Sequence, residues 1–125
     1  MGDTIIGVGV DIVEVGRIRA ALDNPRTGQR FRDRVFTAGE IAYCERRRTG
    51  AESYAARFAA KEAVVKALGK LVGWKEIEVT RTDGPPTIRL SGRAETRARE
   101  LGVQRIHLSL SHTADHAIAY VIATA

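Results

Sequence analysis

The sequence has little with which to brace itself covalently. Its one cysteine, Cys44, has no second thiol in the chain to bond, which excludes a disulfide-stapled scaffold and fits a reducing cytoplasm. The same shortage argues against zinc, because His107, His112 and His116 have no cysteine near them. No apolar run reaches the roughly eighteen residues that a spanning helix needs, so no membrane segment is expected. The opening Met1-Gly2-Asp3-Thr4-Ile5-Ile6 has neither a basic region nor a cleavage site and is not read as a signal peptide. Aromatic residues make up only 6%, too few for a base-stacking surface. No repeat, low-complexity tract or linker interrupts the chain.

What is present describes a single domain over residues 1–125. Its composition, 44% hydrophobic and 28% charged, is ordinary for a globular protein and supports one core. Twenty basic residues against fifteen acidic give a net charge of +5, which favours an anionic partner. The excess is local, with Arg19, Arg26, Arg30, Arg32, Arg34 and Arg46 to Arg48 lying between Arg17 and Arg57. Such a stretch suits nucleic acid, a nucleotide phosphate or an acidic protein, and equally a solvated face with no partner.

Patterning sets out the elements. Ile5 to Val13 reads as a strand. Ile6, Val8, Val10 and Ile12 are expected to fill a core on one side, with Gly7, Gly9 and Asp11 on the other. Helical segments are expected over Arg17–Leu22 and Phe31–Phe36. Thr37 with Glu40 makes a capping box for a helix running to about Arg48 and ending at Gly50. Glu52 or Ser53 opens a longer helix to Leu68, closed by Gly69. Ile77 and Val79 alternate as a half-buried strand, and after the Asp83-Gly84-Pro85-Pro86 turn Ile88 and Leu90 return as its hairpin partner. Ser91 caps a helix with Ala94, Ala98 and Leu101 on one face. Strands over Ile106–Ser111 and Ala117–Ala123 flank the last turn. The fold class is α+β, a mainly antiparallel sheet with helices packed on one side.

Three places carry chemistry. A carboxylate ending a strand beside two glycines has room for a ligand, so Asp11 is either a metal ligand or a structural ion-pair partner or cap for the next turn. The helix Tyr54–Leu68 is apolar almost all round and should be buried, which makes its charges informative. Glu62 and Lys66 are i,i+4 neighbours and can form a simple intrahelical pair. Arg57 and Lys61 lie on the other edge. His112 continues the apolar face of Ile106, Leu108 and Leu110 to the end of its strand, where a histidine is more often structural than catalytic.

Taken together these stretches resemble the bacterial holo-[acyl-carrier-protein] synthases, the short type of phosphopantetheinyl transferase. The likeness rests on Gly7-Val-Gly-Val-Asp11-Ile-Val-Glu-Val-Gly-Arg17-Ile, on Arg57-Phe-Ala-Ala-Lys61-Glu62-Ala-Val-Val-Lys66-Ala-Leu-Gly69, and on His107-Leu-Ser-Leu-Ser-His112-Thr113 with its following alanine-rich strand. It runs through essentially the whole chain in the family's order. Two departures stand out: a short stretch between Gly69 and Trp74 where relatives carry a longer glycine-rich loop, and Val65 where a small polar residue can occur.

The resemblance implies an enzyme that moves the 4′-phosphopantetheine arm of coenzyme A to a serine of an apo acyl carrier protein, releasing adenosine 3′,5′-bisphosphate. It implies Mg²⁺ held by Asp11 and Glu62, catalysis by these two with Lys66, and coenzyme A contacts at Arg57, Lys61, Lys66, Gly69, His112 and Thr113. Arg46 to Arg48 are available for the 3′-phosphate. It implies docking of the acidic carrier on Arg17, Arg30 and Arg34, and a homotrimer with active sites between subunits. The competing readings are a basic nucleic-acid-binding module, for which no recognition helix or zinc spacing is present, and a non-catalytic scaffold, which the presence of Asp11, Glu62 and Lys66 disfavours.

Overall fold

A computed structural model describes residues 4–81 and 83–125. The first three residues of the N-terminal stretch read above as lacking a signal sequence lie outside the described residues. Strand β1 (Ile5–Glu14) is followed by helices α1 (Val15–Asp23), α2 (Gly28–Val35), α3 (Ala38–Glu45) and α4 (Gly50–Leu68). A 3₁₀ turn (Trp74–Glu76) leads to the hairpin β2 (Ile77–Thr80) and β3 (Thr87–Leu90). Helix α5 (Gly92–Leu101) and strands β4 (Arg105–His112) and β5 (His116–Thr124) complete the chain. All pairings are antiparallel, in a three-stranded sheet ordered β1-β5-β4 and a separate two-stranded sheet β2-β3. The α+β class with an antiparallel sheet is as expected. No helix among the described residues is long and apolar enough to cross a membrane.

Helix α4 is the axis of the core. Its alanines 55, 56, 59, 60 and 63 are buried, as are Tyr54, Val64 and Leu68, and small side chains let the sheet approach closely. The strand it lies on reverses one expectation. Val8, Val10 and Ile12 are 53%, 51% and 61% exposed, whereas Gly7 and Gly9 face the helix. The reason is steric: a Cβ on Gly7 or Gly9 would overlap the carbonyl oxygen of Ala67 or Ala63, so only the glycine face admits the helix backbone. The aliphatic face points away from the core, and across β5 it meets Ile118 and Tyr120, which are also exposed.

The capping box forms as the sequence indicates, with Thr37 and Glu40 exchanging bonds. Helix α3 nevertheless stops at Glu45 rather than Arg48, and Gly50 opens α4 instead of ending α3. Gly69 ends α4 in the left-handed region at φ +67°, where a glycine costs least. Ser91 occupies the N-cap of α5 without a side-chain bond. Glu76 supplies it, its Oε2 accepting from the Arg93 N–H at 3.0 Å and its Oε1 from Gly73 N–H at 2.7 Å. Between the C-cap of α2 and helix α4, Phe36 and Tyr54 pack edge to face at 4.8 Å, a contact worth roughly 0.5–1.5 kcal/mol beyond burial.

Candidate functional site

Because β1 turns its glycine face to α4, Asp11 points toward the helix too, and opposite it on α4 is Glu62. Both line one cleft of about 390 Å³ with Arg17, Ile18, Phe31 and Phe58. The Glu62 carboxyl is held above the usual carboxylate range, first by burial and then by the negative charge of Asp11, with Lys66 opposing. Two like charges close enough to raise a proton affinity are a place where a cation is favoured.

Lys66 does not make the intrahelical pair that its spacing with Glu62 offers. Its Nζ donates to Asp11 Oδ1 at 3.1 Å and to the Val10 carbonyl at 2.9 Å, with half of its side chain exposed. One cation therefore faces two carboxylates and keeps room to turn to another anion. Among the described residues no group of three or more His, Cys, Asp or Glu side chains is placed to hold a metal. A cation at this point has two protein carboxylates at most, an all-oxygen donor set with positions left for phosphate and water, which fits Mg²⁺ better than a metal that wants a protein cage.

Glu62 also borders a second hollow, of about 240 Å³, walled by Val65, Leu71, Val72, Trp74 and Ile77. The stacked rings of Phe58 and Trp74, 5.1 Å apart, bring one wall of each hollow together, since Phe58 lines the first. A wider depression, about 520 Å³ between β3, α5 and β4, contains none of the candidate residues. It lacks convergent carboxylates, and the chemistry gathers in the smaller hollows.

The basic residues of α4 part company. Lys61, expected to contact coenzyme A, is fully buried. Its ammonium pairs with Glu40 Oε1 at 2.8 Å and donates to the carbonyls of Trp74 and Ile77. Burial lowers its pKa, with Glu40 opposing. All three donors are used, so this residue has nothing to offer a ligand. Arg57 is the converse. It is 4% exposed, its guanidinium lies 4.0 Å over the Tyr43 ring, and its Nε has no acceptor among the described residues. Arg47 sits over the same ring at 5.1 Å. A buried guanidinium without a carboxylate partner keeps its full charge, which favours an anion nearby.

His112 lies at the end of β4 with Nδ1 3.6 Å from Glu52 Oε2, so it joins the start of α4. The Thr113 hydroxyl accepts from the N–H groups of Asp115 and His116 and is taken up by the turn. Gly69 caps α4 one turn beyond Lys66. Arg17, Arg30 and Arg34 are exposed, and only Arg17 lines the cleft. Sequence reasoning missed Tyr43 beneath Arg57, Glu52 beside His112 and Trp74 at the second hollow. Glu40 was legible as a cap, but nothing in its spacing gave Lys61 as its partner.

Comparison with known proteins gives the family and the fold. Residues 7–121 match the family model of the 4′-phosphopantetheinyl transferase superfamily. The chain is 50% identical over 121 residues to the holo-[acyl-carrier-protein] synthase of Anaeromyxobacter sp. (strain K), covering 94% of each chain. It superposes on the holo-ACP-synthase of Plasmodium yoelii with a TM-score of 0.85 at 33% identity, over 99% of this chain and 98% of that one. The holo-(acyl-carrier-protein) synthase of Bacillus anthracis in complex with CoA (3′,5′-ADP) matches with a TM-score of 0.79 at 32% identity over 99% of both chains.

Proposed function

The chain belongs to the 4′-phosphopantetheinyl transferase superfamily, and we propose that it transfers the phosphopantetheine arm of coenzyme A to a serine of an apo acyl carrier protein. The observation that carries this reading is the convergence of Asp11 and Glu62 on one cleft beside the arginine-bearing helix α1, with Lys66 bonded to Asp11 at its edge. The serine oxygen attacks the β-phosphorus of the pyrophosphate. The bond to the bridging oxygen breaks, adenosine 3′,5′-bisphosphate leaves, and the serine proton passes to water hydrogen-bonded to Glu62.

Asp11 and Glu62 would hold Mg²⁺, whose charge offsets that building on the phosphoryl oxygens. Lys66, already beside Asp11, is placed to hold the negative charge that develops on the departing bisphosphate. Arg57, with an unpartnered Nε over Tyr43, is the receptor we assign to the 3′-phosphate, with Arg47 near it and His112 at the other end of the same region. The two hollows at Glu62 divide the substrates. The apolar one suits the dimethyl-bearing part of the arm, and the cleft lined by Arg17 admits the serine of the carrier.

Arg17, Arg30 and Arg34 make no ion pair among the described residues and present their charge to an acidic carrier, an attraction that mainly speeds association. The exposed aliphatic face of the three-stranded sheet is a surface for further copies of the chain, and we assign it to a homotrimer. The reaction belongs in the cytoplasm, where the lone Cys44 remains a buried thiol whose pKa burial raises to about 12.

Intact-mass spectrometry of an apo acyl carrier protein incubated with coenzyme A, Mg²⁺ and the enzyme tests the proposal. A gain of one phosphopantetheine, lost with EDTA, is expected. No gain with several carriers returns the nucleic-acid and scaffold readings.

A further inference from the structure

The buried pair of Lys61 and Glu40 takes no part in the chemistry above, yet its bonds are aimed at one short segment. Lys61 Nζ donates to the carbonyls of Trp74 and Ile77, the first residue of the 3₁₀ turn and the residue after its last. Glu40 closes the other side, with Oε1 on the Thr37 N–H and Oε2 on the Val79 N–H at 2.8 Å. From the opposite flank Glu76 fixes Gly73 and the start of α5. The turn is thus clamped at both ends, while Leu71 a few residues earlier is 83% exposed.

What the clamp carries is Trp74. Its indole stacks on Phe58 at 5.1 Å with an interplanar angle of 24° and walls the apolar hollow that Glu62 borders. An ordinary apolar side chain at position 61 would fill the same volume in the core. It could not donate to two carbonyls, and the turn would be free to shift.

We infer that Lys61 is a positioning residue of the transfer reaction, holding the Trp74 turn so that the hollow beside Glu62 keeps the shape that receives the arm of coenzyme A. The inference rests on the transferase reading for the identity of that ligand, and on geometry alone for the hold on Trp74. It also accounts for a lysine where the core needs no charge. Two of its three donors orient the turn relative to α4, the helix that bears Glu62 on the next residue, and the third is held by Glu40.

Trp74 is the only tryptophan, so its emission reports on the turn directly. The experiment compares wild type with the double variant Glu40→Gln/Lys61→Met, which removes both charges together and leaves no lone ion buried. With native far-UV circular dichroism, the double variant is expected to show red-shifted emission, acrylamide quenching raised several-fold, and a KM for coenzyme A raised about tenfold. Its kcat and its KM for the carrier stay within about twofold, the mark of lost binding rather than lost chemistry.

Trp74→Ala, which leaves the ion pair in place, should reproduce the KM change alone. It decides the matter if the double variant does not fold. Unchanged emission and quenching in a folded double variant, or a normal KM for coenzyme A in Trp74→Ala, overturns the inference. Should wild type transfer no arm to any carrier, the transferase reading fails, and the emission result still decides whether Lys61 holds the turn.

Discussion

Lys61 and Glu62 are joined by one peptide bond, and their side chains meet opposite conditions. The Lys61 ammonium has a carboxylate and two carbonyls around it and no exposure to solvent. The Glu62 carboxyl has no hydrogen-bond donor among the described residues, a like charge across the cleft in Asp11, and a pKa pushed up by burial and by that charge. Both groups are costly to desolvate. In the first case the protein compensates the cost from its own atoms, and the result is a rigid core. In the second no donor among the described residues compensates it, and on the proposed reading an arriving cation does. A helix can therefore carry structural and functional charge side by side, and the completeness of the hydrogen-bond set separates the two.

The contrast can be broken from either end. Glu62→Gln removes the uncompensated charge, and transfer activity should fall by roughly 100-fold or more, measured as initial rate of carrier mass gain. Its melting temperature should hold or rise, because a strained charge has gone. Lys61→Met alone leaves Glu40 buried without its cation, and an unfolding titration should show a loss of about 3–5 kcal/mol. If Glu62→Gln proved the more destabilising of the two, the distinction would be wrong.

A pH series sharpens the same comparison. A carboxyl whose folded pKa is raised contributes stability that is fully present below its unfolded pKa and is lost as pH rises through the folded value. Metal-free protein should therefore lose stability as pH climbs through the carboxylate range toward the raised Glu62 value. Added Mg²⁺ should restore more stability above that window than below it, where Glu62 holds a proton. Thermal denaturation with and without Mg²⁺ measures this, and Glu62→Gln should flatten the difference. The smallest effect is expected at the rim. Arg17→Ala should raise the KM for the carrier by a factor equivalent to about 1 kcal/mol or less, with little change for coenzyme A, and the difference should shrink in high salt.

Much of this was legible in the sequence, for reasons that differ by residue. The capping box at Thr37 and Glu40 and the glycine at the end of α4 are local signals with local causes, and both form. The order of elements and the α+β class follow from periodicities that tertiary packing did not override. The direction of β1 was misread because alternation says which residues share a side and not which side meets the core. Val8, Val10 and Ile12 satisfy a hydrophobic rule, but the helix can approach only where side chains are absent. Lys61 was grouped with ligand contacts because its motif neighbours are such candidates, and only the fold brings Glu40, twenty-one positions earlier in the chain, within 2.8 Å of it. Trp74 carried no motif at all.

The glycine face of β1 has a consequence for how the site is dimensioned. Helix α4 rests directly on the backbone of residues 7 and 9, so the height of Glu62 above Asp11 is set by the thickness of bare peptide. The gauge is mechanical. A methyl group at either position lifts the whole helix and widens the gap between the two carboxylates without touching either of them. If Asp11 and Glu62 hold a cation as proposed, Gly9→Ala should mimic the loss of one of them while both remain in place, and the span between them is written in two side chains that the strand does not have.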